Sequence, residues 1–285
     1  MKLTTKPIIT TEQIQQYDEL GFIFLPELFS KAEAAAMQRE FSASLENENI
    51  EKVFEQDGKT VRSLVGVHLH NDFYRDFVRH PKILLAVQQL LGTDAYVLRT
   101  HMVCKRAFQG DAWPWHQDAY ICYQEGIPAS NVVKVIIFLD EVNEFNSPMN
   151  VIPGSHKQGS LDPEICASVP KTVTENADSD SDWKESFGVD LLYRVPQDIV
   201  KSAVEQGGII APKGAAGSVV LFNVNIFHGS TPNISPFERR NLHTTYVSVN
   251  KTPSPQSLSS EVFLTGRDYK PTQPLSESQA MNLFS

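Results

Sequence analysis

The chain has 285 residues, of which 41% are hydrophobic, and 25 Lys and Arg against 34 Asp and Glu give it a formal charge of -9. Such a chain can bury a substantial core without a disulfide or metal staple. Its acidic balance argues against nucleic-acid binding, which leaves a basic patch or stripe, and no window approaches the roughly 18 apolar residues of a membrane span. Cys104, Cys122 and Cys166 are odd in number and show no CxxC spacing, so reduced thiols are expected. The polar opening MKLTTKPIITTEQIQQYDELGF has no apolar core of signal-peptide length, and a cytoplasmic protein is expected.

Residues 10–48 read as largely helical. Thr11 precedes Glu12, Ile14, Tyr17 and Leu20, and Gly21 interrupts the pattern. Phe22, Phe24 and Leu25 suggest a short strand, and Ser30 suits the N-cap of a second helix, KAEAAAMQREFSASLENE. RDFVRHPKILLAVQQLL predicts one helix over 75–92 that stops at Gly92.

From residue 95 the chain turns β-rich. AYVLRTHMVCKRAF alternates, and as one strand it puts Arg99, His101, Val103 and Lys105 on a single face. NVVKVIIFLDEV (131–142), SPMNVIPGSHKQGSL, GSVVLFNVNIFHGS (217–230) and NLHTTYVSVN (241–250) read as further strands, the second of them cut short by Pro153-Gly154. Short strands at this spacing predict a sandwich or barrel rather than a βαβ fold. One domain is expected: a helical third (1–93), a β-core (94–252) with an acidic, Ser-rich lid or insertion at 168–190, and a tail (253–285).

Chemistry concentrates in the β-core. His116 and Asp118 are two positions apart in WPWHQDAY, so on an extended segment both point to one side. His228 follows the apolar run VVLFNVNIF. Two imidazoles and a carboxylate are the ligand set of a facial triad, which leaves open positions on Fe(II). Arg239, eleven residues beyond His228, could pair a dicarboxylate cosubstrate through its guanidinium fork. Arg240 competes for that role, although alternation places it on the other side of the strand.

Taken together, YDELGFIFLPELFS, WHQD, VIPGSHKQGS and HGSTPNISPFERR make the chain resemble the phytanoyl-CoA dioxygenase family of Fe(II)/2-oxoglutarate oxygenases over most of its length. Within that family it is most similar to the ectoine and free-amino-acid hydroxylases, which share segments like DGKTVRS, PGSHK and NISPF. The resemblance implies a mainly β fold with N-terminal helices, a double-stranded β-helix or cupin-like jelly roll. It implies His116, Asp118 and His228 as the iron ligands. For 2-oxoglutarate it implies Arg239 on the distal carboxylate, Ser230 as a helper and His101 in the pocket wall. Dioxygen is the remaining reactant. Halogenating relatives replace the carboxylate ligand with a small residue, so Asp118 favours hydroxylation, or desaturation or ring formation by the same chemistry, over halogenation.

The resemblance thins on the substrate side. Relatives carry a Trp six residues after the first iron histidine, where this chain has Cys122, and a polar pair on the preceding strand, where it has Arg99 and Val103. Arg99 is a candidate clamp for a substrate carboxylate or phosphate, or else a salt-bridged strand residue. Arg62 is either near the pocket mouth or a solvated loop arginine. Cys122 could touch substrate or pack as a small hydrophobe. His68 and His70 read as surface or pocket-edge residues, His156 as the holder of a turn, and His243 as a core or wall residue. Trp113 and Trp115 either roof the substrate or pack.

The implied reaction is hydroxylation of an unactivated C–H bond in a small molecule, a free amino acid or a small carboxylate or natural-product precursor, by a monomer or homodimer. Desaturation or cyclisation by the same chemistry, a cupin-type metalloenzyme without 2-oxoglutarate and a non-catalytic binding protein are the alternatives.

Overall fold

The computed structural model describes residues 7–167, 187–188, 191, 193–253, 266 and 268–285. Of the expected lid at 168–190, only Phe187 and Gly188 fall within them, and so does only part of the tail.

Helix α1 (Thr11–Leu20) starts at a capping box in which Thr10 and Gln13 satisfy each other's backbone N–H, and it ends at Gly21 with φ 85°. Strand β1 (Phe22–Leu25) follows, then α2 (Lys31–Glu46), capped reciprocally by Ser30 and Glu33. The rest of the first third departs from the helical expectation. Two strands, β2 (Glu51–Phe54) and β3 (Val61–Val65), pair antiparallel around the turn at Asp57-Gly58. Asp57 builds that turn by accepting from the backbone N–H groups of Lys59 and Thr60, both at 2.8 Å.

Three helices come next: α3 (Val67–His70), α4 (Asp72–Phe77) and α5 (Pro81–Leu91). The single helix expected over 75–92 is therefore broken. Pro81 pushes His80 into an extended conformation (φ -61°, ψ 128°), and the His80 side chain then caps α5 by accepting from Lys82 N at 3.2 Å.

The β-core begins with β4 (Ala95–Lys105) and β5 (Trp113–His116), followed by α6 (Ala119–Gln124), β6 (Val132–Phe138), β7 (Asn150–Val151) and α7 (Pro163–Ala167). Beyond it come α8 (Gln197–Gly207), β8 (Val219–Asn223), β9 (His228–Ser230), β10 (Arg239–Ser248) and a C-terminal α9 (Glu277–Asn282). Among the described residues the strands form a large sheet, ordered β1-β8-β6-β10-β4-β3-β2, and a small one, β5-β9-β7. All neighbours are antiparallel.

The run 217–230, expected as one strand, is two. Asn223 ends β8: its Oδ1 accepts from Asn225 N and its backbone carbonyl from Ile226 N, both at 2.9 Å. This turn carries the chain from the large sheet to the small one, as a jelly roll requires. Every residue of β6 is buried, which explains why VVKVIIF reads as an apolar run rather than an alternation. Its outer face (Val133, Val135, Ile137) packs with Phe29, Met37 and Tyr246 beneath the helices. Its inner face (Ile136, Phe138) packs with Met149, Val151 and Ile226 against the small sheet.

Candidate active site

His116 closes β5 and stands opposite His228, the first residue of β9, with ring centroids 4.1 Å apart. Asp118 lies just past the strand, at the turn into α6, so the extended geometry expected for the triplet ends at His116. Asp118 Oδ1 lies 4.0 Å from His116 Nε2, and Oδ2 lies 3.5 Å from His228 Nε2. One ligand atom from each residue falls within 4.8 Å of the others, close enough to share one metal ion. Both rings are aimed by their other nitrogen: Nδ1 of His116 bonds the Pro114 carbonyl at 2.7 Å, and Nδ1 of His228 bonds that of Ile226 at 3.1 Å.

Gly229 makes this approach possible. A Cβ there would lie 2.8 Å from the Trp113 carbonyl oxygen, so only glycine lets β9 lie this close to β5.

Burial lowers the pKa of both imidazoles, that of His116 to about 3, and keeps them neutral and able to ligate. Burial pushes the Asp118 carboxyl up. Lys134 at 2.6 Å and the two imidazoles outweigh that and hold it well below the usual carboxylate range. A buried, ionised Asp between two neutral His is a donor set for a divalent cation.

The triad opens into a cavity between the sheets whose empty space, counted out to its mouth, is about 770 Å³. Its floor is the inner face of the large sheet. Antiparallel registers stack that face in rows: Arg99, Thr245 and Lys134; then His101 and His243; then Val103 beside Asn241; then Lys105 beside Arg239. Arg239, His101 and Ser230 all line the cavity. Arg239 is 2% exposed, and its Nε has no partner. With the amide orientation that satisfies its neighbours, Asn241 Oδ1 accepts from Arg239 Nη1 at 2.8 Å. Arg240 points outward instead, its Nε and Nη2 on Asp140 at 2.8 and 2.6 Å. Further buried orphans, His101 Nδ1, both ring nitrogens of His243 and Trp113 Nε1, surround the same space. Such atoms are costly unless a ligand bonds them, so the walls fit a polar, anionic guest beside a metal.

Cys122 and Arg99 also line the cavity. Burial pushes the Cys122 thiol up to about 12, so it meets a guest as a neutral SH. Arg99 is ion-paired with Glu125 and still faces the cavity, which combines the two sequence expectations for it.

Arg62 corrects the reading of the loop at DGKTVRS. It neither reaches the cavity nor meets solvent: it is fully buried on Glu55 at 2.9 Å. Its Nε and Nη2 donate to the carbonyls of Phe187 and Ala112, and its guanidinium lies 4.0 Å from the Trp113 ring centroid. It therefore braces two cavity walls from behind.

His68 is buried and bonds Thr100 Oγ1 at 2.8 Å, away from the triad. His156 Nε2 bonds the Asp18 carbonyl at 3.1 Å and ties its turn to α1. His243 is a cavity wall, as is Trp113, while Trp115 packs against Ile152 and Phe227.

Sequence reasoning missed Lys134, Thr245, Tyr193 and Phe187. Lys134 did leave a signal, as the one charged residue in an otherwise apolar strand. Phe187 lies within the weakly patterned stretch read as a lid and Tyr193 just beyond it, and neither left a signal.

A jelly roll holding a buried His, Asp, His set has the donor set of a mononuclear metal site with open coordination positions. The phytanoyl-CoA dioxygenase family profile matches residues 17–241. The chain is 31% identical to the ectoine dioxygenase of Bordetella bronchiseptica (strain ATCC BAA-588 / NCTC 13252 / RB50) over 277 residues, covering 94% of this chain and 86% of that one. It is also 31% identical to L-proline trans-4-hydroxylase of Streptomyces griseoviridis over 261 residues, covering 91% and 94% respectively. The crystal structure of EctD from S. alaskensis in its apoform superposes with a TM-score of 0.75 at 23% identity, over 96% of this chain and 90% of that one. The chain belongs to the phytanoyl-CoA dioxygenase family and is a 2-oxoglutarate-dependent dioxygenase. No helix among the described residues is long and apolar enough to cross a membrane.

Proposed function

We propose that His116, Asp118 and His228 hold Fe(II), that Arg239 pairs the distal carboxylate of 2-oxoglutarate, and that the enzyme hydroxylates a small carboxylate-bearing molecule. The observation that carries this is the meeting of the triad and a buried arginine without a carboxylate partner in one cavity. Bound iron, with 2-oxoglutarate and dioxygen, supplies the oxidising power for C–H attack.

The protein's part is placement. The Pro114 and Ile226 carbonyls fix both imidazoles with Nε2 turned inward, and low proton affinity keeps all three ligands unprotonated. Arg239 offers Nε–H to a carboxylate, Ser230 a hydroxyl, and His101 a neutral ring beside the same path. Trp113, Phe187, Tyr193 and Val224 form an apolar wall that excludes water and limits where a substrate carbon can sit.

The names of the two curated relatives, an ectoine dioxygenase and a proline hydroxylase, support a small-molecule substrate. Because β1, β2 and β3 from the first third complete the large sheet, we take the chain to work as one domain. The deciding assay is substrate-coupled succinate release across a panel of small carboxylates. It is expected from the wild type and lost in Asp118→Ala with the fold retained. Undiminished coupling in that variant, without added carboxylate, would remove the triad assignment.

A further inference from the structure

Arg99, Thr245 and Lys134 form one row across three neighbouring strands, with Arg99 on β4 and Lys134 on β6 each in register with Thr245 on β10. At the usual strand spacing the outer two Cα atoms are about 10 Å apart, with the hydroxyl midway. All three line the cavity, and all are buried. Neither cation is saturated. Arg99 spends Nη2 on Glu125, and Lys134 spends one of three N–H groups on Asp118. Thr245 lines the same cavity, and among the described residues its Oγ1 has no hydrogen-bond partner.

From these observations, and resting on the function proposed above, we infer that this row is the substrate's carboxylate subsite and selects a carboxylate of net charge -1 over neutral or zwitterionic molecules.

The sign follows from a charge count over the described residues of the site. Asp118, a divalent cation, dianionic 2-oxoglutarate and Arg239 sum to zero. Arg99 and Glu125 also sum to zero. His101 and His243 are neutral, since burial holds both well below the ordinary histidine range. Burial pushes Lys105, beside Arg239, down to about 6 and so largely neutral, and Lys134 is the remaining charge. Among the described residues its one carboxylate partner is Asp118, which the metal would then share. A buried cation without an anion is costly, and a monoanionic guest lying on Thr245 between Lys134 and Arg99 removes the imbalance. An ammonium on the guest would restore it: Glu125 Oε2 has no hydrogen-bond partner, but the charge of that carboxylate is already balanced by Arg99. The subsite also fixes position: Lys134 Nζ is 2.6 Å from Asp118 Oδ2, so a carboxylate bound there places its neighbouring carbons beside the triad.

The test is anaerobic calorimetry on the Fe(II)- and 2-oxoglutarate-loaded enzyme, using a panel of small carboxylic acids, each acid's primary amide, and L-proline as a zwitterion. At least one acid is expected to bind about tenfold or more tightly than both its own amide and L-proline, as charge-assisted hydrogen bonds imply. In the double variant Arg99→Gln/Glu125→Gln, where two amides can still bond each other, the acid is expected to bind about tenfold more weakly than in the wild type, while Lys134 keeps its preference over L-proline. The visible Fe(II)–2-oxoglutarate absorption band is expected to persist in it. Acids that bind no better than their amides anywhere in the panel, or a double variant that binds the acid as tightly as the wild type, overturn the inference. Failure of the absorption band in the wild type would instead overturn the function on which it rests.

Discussion

Two adjacent arginines with opposite surroundings make the sharpest perturbation. Arg239→Ala removes a guanidinium that lines the cavity and has no carboxylate partner, so no buried acid is stranded and the gap opens into existing space. Its cost falls on 2-oxoglutarate. Losing one side of a buried charged pair is worth about 2–5 kcal/mol, which is roughly thirtyfold or more in the apparent KM. Arg240→Ala does the reverse. Asp140 loses two hydrogen bonds, at 2.8 and 2.6 Å, and keeps those from Gln38 and the Arg240 backbone N–H. The pair's side chains are 17% and 14% exposed, so solvent screens little of the loss, and about 2 kcal/mol of stability is at stake. For a chain of this size that is a fall of about 3 °C in Tm. Initial-rate succinate assays at varied 2-oxoglutarate, with thermal melts of both variants, separate the two. A KM effect in Arg240→Ala without one in Arg239→Ala would refute the assignment.

Other outcomes follow from the packing. Gly229→Ala is expected to force β9 from β5 and weaken Fe(II) binding about tenfold or more, because its Cβ meets the Trp113 carbonyl oxygen at 2.8 Å; equilibrium metal titration reads this, and wild-type affinity would contradict it. Arg62→Met leaves Glu55 buried and unpaired, and about 3–5 kcal/mol of stability should be lost in denaturant unfolding; a loss below about 1 kcal/mol would mean the pair does not brace the fold. Burial lowers the pKa of His68 and His80 to about 4, against about 6.5 unfolded. The unfolded chain therefore takes up protons first, so stability is full above about pH 6.5 and declines as pH falls toward 4, by roughly 3 kcal/mol per histidine. Melts across this range should show the decline, and a flat profile would show that these rings titrate normally.

Much of the site was legible because its chemistry sits in short local segments. WHQD and HGS are each only a few residues long; alternation put Arg239 and Arg240 on opposite sides of the strand, and the family resemblance chose Arg239. What escaped depended on tertiary contact. Nothing local in DGKTVRS says that Arg62 turns inward to Glu55, and EKVF with VRSLV is too short and polar to announce a hairpin. Helix periodicity over 75–92 was real on both sides of Pro81, but the proline's effect on His80 divided it. VVLFNVNIF looked continuous because both of its halves are buried, in two different sheets. Lys134 could have been suspected, since a lysine within a wholly buried strand must find an anion, and Asp118 is the one it finds.

The central claim is that one cavity binds Fe(II) through His116, Asp118 and His228 and 2-oxoglutarate through Arg239. Anaerobic titration of the purified protein with Fe(II) and 2-oxoglutarate, followed by the visible charge-transfer band of the complex, tests it most directly. The wild type is expected to develop the band with one iron per chain, and His228→Ala to develop none at the same concentrations. A wild type that stays colourless, or a His228→Ala protein that gives the same band with the same affinity, would contradict it.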